Sequence, residues 1–241
     1  MPNAINETKQ QQRGPLFTEG MKMADLVDAN YMLLPVLERL GIPLGFGELS
    51  VEEACREAGV EPKFFILLSN IHTVDGYMPD EKQLAEINPV VLIDYLYRSH
   101  KYYSSNLIPR LKERLGHLVS SCRTMHGELL NRFFDNYESE INKHFRYEDE
   151  VVFPYVRGVV EGRREPGYSI ERFEENHDNI DEKLADLKNI IMKYLPRGCD
   201  EVRRSEVLFE LFRLREDLDK HTMMENLILI PMVAGLEMNI R

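Results

Sequence analysis

Six residues carry the chemistry that this sequence can offer: His100, His144, Glu148, His177, His221 and Glu225. They recur at one offset. His100, His144, Glu148 and Pro154 return as His177, His221, Glu225 and Pro231, each pair 77 positions apart. The pattern KHxxxExxxxxP starts at Lys143-His144 and again at Lys220-His221. All six fall inside otherwise apolar helical seams, where a bundle normally places leucines. An ionisable group buried without a partner costs on the order of several kcal/mol. Four imidazoles and two carboxylates facing one core therefore call for a compensating cation.

The spacing points to a single shared site. A His and a Glu four residues apart lie on one helix face, about 6 Å apart along the axis. One helix thus gives a nitrogen ligand and, a turn away, a carboxylate able to bridge two metals. Two such helices supply His144 with Glu148 and His221 with Glu225, and two further helices add His100 and His177. The sum is two metals, each with two imidazoles and a share of two bridging carboxylates. Imidazole with carboxylate suits first-row metals such as iron, whereas an oxygen-only shell favours magnesium or calcium. With an oxo or hydroxo bridge completing the set, each metal keeps an open position for a diatomic ligand. A metal-free polar network is the competing reading, and it leaves the duplication unexplained.

The elements that must position these residues are helices, so the expected fold is all-α. Asn88-Pro89 opens helix one, which runs to about Ser120. Helix two runs from about Arg123 to Val160, with Pro154 kinking or ending it. Ser169 caps helix three, which ends before Leu195-Pro196. Asp200 or Ser205 starts helix four, which continues beyond Pro231. Long helices with short connections predict an up-down-up-down four-helix bundle over residues 86–241. The helix-two seam reads Leu130, Phe134, Tyr137, Ile141, His144, Glu148, Val151, Tyr155, and the helix-four seam Val207, Leu211, Leu214, Leu218, His221, Glu225, Ile228, Met232. Ile93, Leu96, His100, Tyr103 and Leu107 likewise match Ile170, Phe173, His177, Ile180 and Leu184.

Residues 18–80 form a small helical N-terminal domain. Its first helical pattern covers residues 21–40 and stops at Gly41. Ser50 with Glu53 makes a capping box, Gly59 is a C′ residue, and Pro62 starts a third segment. Residues 1–17 read as a polar, flexible leader.

At 241 residues and 43% hydrophobic, the chain can bury one substantial core plus an accessory domain. A net charge of −11 argues against nucleic acid and against an anionic membrane surface as partners. No apolar run approaches the ~20 residues of a membrane span. Cys55, Cys122 and Cys199 are far apart, odd in number and form no CxxC. That usage suits a reducing cytoplasm and leaves any metal to nitrogen and oxygen ligands.

The pattern of His100, HFRYE at His144–Glu148, NHDNID around His177 and HTMME at His221–Glu225 resembles the hemerythrin-like (HHE cation-binding) family. The layout from residue 20 to 236 is similar to the di-iron repair-of-iron-centres family, in which a short N-terminal domain precedes such a bundle. The resemblance implies a non-haem di-iron centre that reacts with oxygen, nitric oxide or peroxide. It assigns His100, His144, Glu148, His177, His221 and Glu225 as ligands. Oxygen-carrying members have a further histidine four residues after the one on helix three. Asp181 stands there in this chain, so the six-ligand set of repair-type proteins fits better. Repair-type proteins also hold adjacent cysteines after a Gly-Ile pair, where this chain has Gly45 and Phe46.

Other candidates carry blander readings. His72, His117 and His126 have Asp149, Tyr194 and Arg203 at the 77-residue offset and read as surface or satisfied core histidines. Tyr103 lines the ligand pocket, donates to a bridging carboxylate, or simply packs. Glu175 and Asp181 are either acceptors for imidazole N–H groups or solvated positions. The functional expectation is a cytoplasmic di-iron protein that binds, senses or scavenges O2, NO or peroxide in oxidative or nitrosative stress. It reads as a binder or sensor rather than a dedicated enzyme, with catalysis undecided. Two alternatives stand beside it: an iron donor for repair of damaged iron–sulfur clusters, and a metal-state-dependent docking module. The second rests on the glycine-bracketed loop 42–46 as a contact for a protein partner.

Overall fold

A computed structural model describes residues 17–122, 126–163, 167–175 and 181–240. The leader up to residue 16 and residues 176–180, which include His177, lie outside the described residues. The side chains of His126, Glu175 and Asp181 lie outside them as well. The described chain is all-α, with only two isolated bridges, Lys22 with Ser50 and Arg197 with Cys199. It divides into two compact units, Met1–Glu81 and Lys82–Arg241.

In the first unit the expected single helix over residues 21–40 is broken into α1 (Met23–Ala29) and α2 (Leu33–Leu40). Asn30 is the reason. Its Oδ1 accepts from Met32 N at 2.9 Å, a local turn that competes with helix. Its Nδ2 donates to His72 O at 3.1 Å and Thr73 Oγ1 at 3.0 Å, at the end of α4 (Pro62–Thr73). Between them lies α3 (Val51–Glu57), started by the full Ser50–Glu53 capping box. Gly59 takes φ +70° after α3, and Val60 N reaches Cys55 O at 2.8 Å to close the helix end. The short α5 (Glu81–Ala85) follows.

The second unit is built from four helical columns. Column A is α6 (Pro89–Tyr102), a π-turn π1 (Tyr103–Leu107) and α7 (Ile108–Ser121). Column B is α8 (His126–Tyr147), π2 (Glu148–Val152) and α9 (Phe153–Val160). Column C holds α10 (Ile170–Glu175), α11 (Asp181–Asn189) and π3 (Ile190–Tyr194). Column D is α12 (Glu201–Met224), π4 (Glu225–Leu229) and α13 (Ile230–Asn239). Asn88 caps α6 by accepting from Val90 N, and Asp200 caps α12 by accepting from Val202 N and Arg203 N. Packing of α7 on α8, α6 on α9, α11 on α12, α10 on α13 and α7 on α12 gives the antiparallel, up-down-up-down order.

Prolines explain the π-turns. Each is followed by one residue and then a proline: Ile108 before Pro109, Phe153 before Pro154, Leu195 before Pro196, Ile230 before Pro231. A proline has no N–H and its ring clashes with the carbonyl four residues back. The residue before it instead reaches five back, as Phe153 N does to Glu148 O and Ile230 N to Glu225 O. Pro154 therefore does not end column B; the helix runs on to Val160. The extra residue in each turn also displaces part of the seam by one, while Tyr155 and Ile228 stay buried as expected. Val152 is buried where Val151 was expected, and Val151 is 38% exposed. In column D Val233 replaces Met232 in the same way.

Two of the three cysteines are joined. Cys122, at the end of α7, and Cys199, just before α12, form a disulfide across 77 residues of chain. Cysteine usage therefore no longer speaks for a reducing compartment. Cys55 is free and buried in the first unit. Among the described residues, no helix is long and apolar enough to cross a membrane.

Candidate metal centre

The inner face of the bundle holds the polar cluster. His100 ends α6, His144 sits in the last turn of α8, and Glu148 opens π2. His221 lies in the last turn of α12 and Glu225 opens π4. One ligand-type atom from each of His100, Glu148, His221 and Glu225 lies within 4.8 Å of the others. These four side chains are almost wholly enclosed; Glu148 and Glu225 have no exposed surface at all.

The contacts have a definite order. His100 Nε2 lies 3.0 Å from His221 Nε2 and 3.1 Å from Glu148 Oε2. His221 Nε2 lies 3.0 Å from Glu225 Oε1. His144, 14% exposed, brings Nε2 to 3.0 Å from Glu148 Oε1. Glu148 thus presents one oxygen to His100 and the other to His144. Five of the six residues singled out by their 77-residue repeat converge; the sixth, His177, lies outside the described residues.

Aromatic rings wall the site. Phe145 stacks on His100 at 4.2 Å between centroids, and Phe153 at 5.4 Å. Tyr103 is fully buried, with its ring 5.7 Å from that of His221. Its hydroxyl donates to the Asp217 carbonyl at 3.4 Å, which supports packing and anchoring of column D. His117 is away from the cluster, exposed and beside Glu113 at 3.7 Å. His72 belongs to the first unit. Asp217, in a charge-rich stretch of α12, is buried.

One residue of the site escaped the repeat. Asp149 Oδ1 accepts from His100 Nδ1 at 2.7 Å. Asp149 follows Glu148 directly, off the 3–4 seam, and only the widened turn π2 explains its approach to column A. Its counterpart 77 positions on is Asn226. Among the described residues, the buried His221 Nδ1 meets no hydrogen-bond partner.

Electrostatics mark His100 as the pivot of the metal-free cluster. Burial works against its imidazolium. Hydrogen bonds to Asp149 and Glu148, with the charges of Glu148 and Glu225, outweigh that and raise His100 to about 9. The donor set fits a transition metal. Two Nε2 atoms 3.0 Å apart match neighbouring ligands on one ion whose metal–nitrogen bonds are about 2.1 Å, at roughly a right angle. Nitrogen and carboxylate donors without thiolate suit a borderline first-row ion.

A family model described as the hemerythrin HHE cation binding domain matches residues 91–233, a stretch that holds all six candidate residues. No curated protein matches the chain.

Proposed function

The chain belongs to the hemerythrin HHE cation-binding family, and from that premise we propose a non-haem di-iron protein. It binds, senses or scavenges O2, NO or peroxide under oxidative or nitrosative stress. His100, His144, His177 and His221 would hold the irons through nitrogen, and Glu148 and Glu225 through carboxylate oxygen. The observation that carries this reading is the enclosed set of imidazole and carboxylate donors within 4.8 Å. The two-sided contact of Glu148 with His100 and His144 supports its place in that set.

Once bound, the iron pair supplies redox chemistry and an exchangeable position for a small ligand. The chain's own part is to hold and to shield. Phe145 and Phe153 cover the His100 ring and keep water from that side. Tyr103 ties column A to column D beside His221. Charge balance requires the His100 proton to leave when metal enters.

Protein purified without oxygen and then loaded with ferrous iron tests the proposal. About two irons per chain, with new oxo-to-iron optical bands after air exposure, are expected. Less than one iron per chain and no such bands overturn it. Binding and sensing are favoured over iron donation to damaged clusters, because the N-terminal unit has Gly45 and Phe46 where a thiol pair would stand. A docking role for that unit draws on Leu44, 67% exposed in the loop between α2 and α3. A cytoplasmic location belongs to the same proposal. Free thiols at Cys122 and Cys199 in rapidly quenched cells support it, and an intact disulfide there counts against it.

A further inference from the structure

We infer that Asp149 is a positioning residue for His100, fixing which ring nitrogen faces the metal, at a place where the other half of the repeat carries the neutral Asn226. This inference rests on the di-iron reading above.

The geometry is specific. The His100 ring stacks on Phe145 and on Phe153, both at 15° to it, so packing sets its plane. Within that plane a half-turn about Cβ–Cγ would exchange Nδ1 with Cδ2 and Nε2 with Cε1. Asp149 Oδ1, 2.7 Å from Nδ1, blocks that exchange by holding the Nδ1 proton. Nε2 is then the nitrogen aimed at His221 and Glu148. A carboxylate on the far nitrogen of a ligating imidazole orients the ring and raises its basicity. Asp149 is 24% exposed at its side chain, so it keeps contact with water.

The arrangement is not a by-product of duplication. The turn is repeated, π2 (Glu148–Val152) and π4 (Glu225–Leu229) matching at the 77-residue offset, as does the glutamate. The next residue is not: Asp149 in one turn, Asn226 in the other. The two turns thus keep the inner donor and differ in charge at the next residue. A more basic His100 favours the oxidised state of the ion it touches.

The test compares wild type, Asp149→Ala and Asp149→Asn. Iron affinity is measured against a competing chelator, reduction midpoints by titration, and the His100 ring by ¹⁵N NMR in protein loaded with diamagnetic zinc. Asp149→Ala is expected to weaken metal binding by about 10- to 100-fold and to lose the hydrogen-bonded Nδ1–H signal. Asp149→Asn keeps an acceptor but no charge. It should recover most of the affinity and the Nδ1–H signal while its first midpoint moves to higher potential. Equal affinity, midpoint and ring signal in wild type and Asp149→Ala overturn the inference and leave the di-iron reading standing. Wild-type protein that takes up no metal overturns the di-iron reading itself, and the positioning role falls with it.

Discussion

Two levels of the bundle use the same repeat in opposite ways. At mid-height the 77-residue offset brings imidazoles and carboxylates together, groups that need a cation between them. At the other it brings Cys122 to Cys199, which need nothing but each other. His100 and Cys122 lie in one column, about 33 Å apart at 1.5 Å per residue. Around the cysteines the core is apolar, with Leu118, Leu130, Leu195 and Val207 all buried. A duplicated hairpin sets equivalent positions near its internal axis face to face. What those positions then do depends on side-chain chemistry alone: one level becomes a site, the other a clasp.

The sharpest way to break that contrast is to remove a ligand. Glu148→Ala or His144→Ala should cost more metal affinity than the about 100-fold that loss of an outer partner costs. Thermal melting should then lose its dependence on added iron, while the disulfide stays formed. Full metal content in either variant, measured by elemental analysis, would contradict the ligand assignment.

The opposite perturbation comes next. Cys122→Ser frees a loop of 77 residues, and chain entropy then assigns a loss of about 4 kcal/mol. Denaturant unfolding should register that loss, with iron stoichiometry unchanged. A variant that loses iron as well would show that the clasp and the site are one cooperative unit.

Proton competition is smaller and acts at the metal site only. With His100 raised to about 9 by Asp149 and Glu148 against the effect of burial, a proton occupies the nitrogen that metal needs. Apparent iron affinity should fall as pH drops below about 9, by up to about tenfold per unit for one proton. A chelator competition that is flat between pH 7 and 9 would refute this. The smallest effect concerns Cys55, whose thiol burial pushes up to about 12, helped by the charges of Glu19 and Glu61. Its alkylation at pH 8 should be on the order of 10³ slower than that of an ordinary thiol. Mass spectrometry should find no alkylated cysteine in the native protein, one after denaturation and three after reduction.

Much of this was legible from residue order. The 4- and 3-residue steps through Leu130, Phe134, Tyr137 and Ile141 to Glu148 name buried residues correctly, because an α-helix keeps its phase as long as its hydrogen bonds do. Past Glu148 and Glu225 the expected seam holds at Tyr155 and Ile228 but slips by one at Val151 and Met232, since each π-turn inserts a residue that periodicity does not count. Pro154 and Pro231 signalled that event, but a proline clash can be resolved by a break or by a wider turn, and composition does not choose between them. Asp149 stayed hidden for the same reason, as a residue beside the seam that only the wider turn carries inward. The Asn30 break depended on acceptors at His72 and Thr73, more than 40 residues away. Cys122 and Cys199 share the offset of the ligands, yet spacing alone does not say which equivalent positions lie close to the axis.

Anomalous scattering at the iron edge from a crystal of the loaded protein tests the central claim most directly. The account predicts two peaks about 3.5–4 Å apart, enclosed by His100, His144, His221, Glu148 and Glu225. No peak there, or one lying outside those side chains, would contradict it.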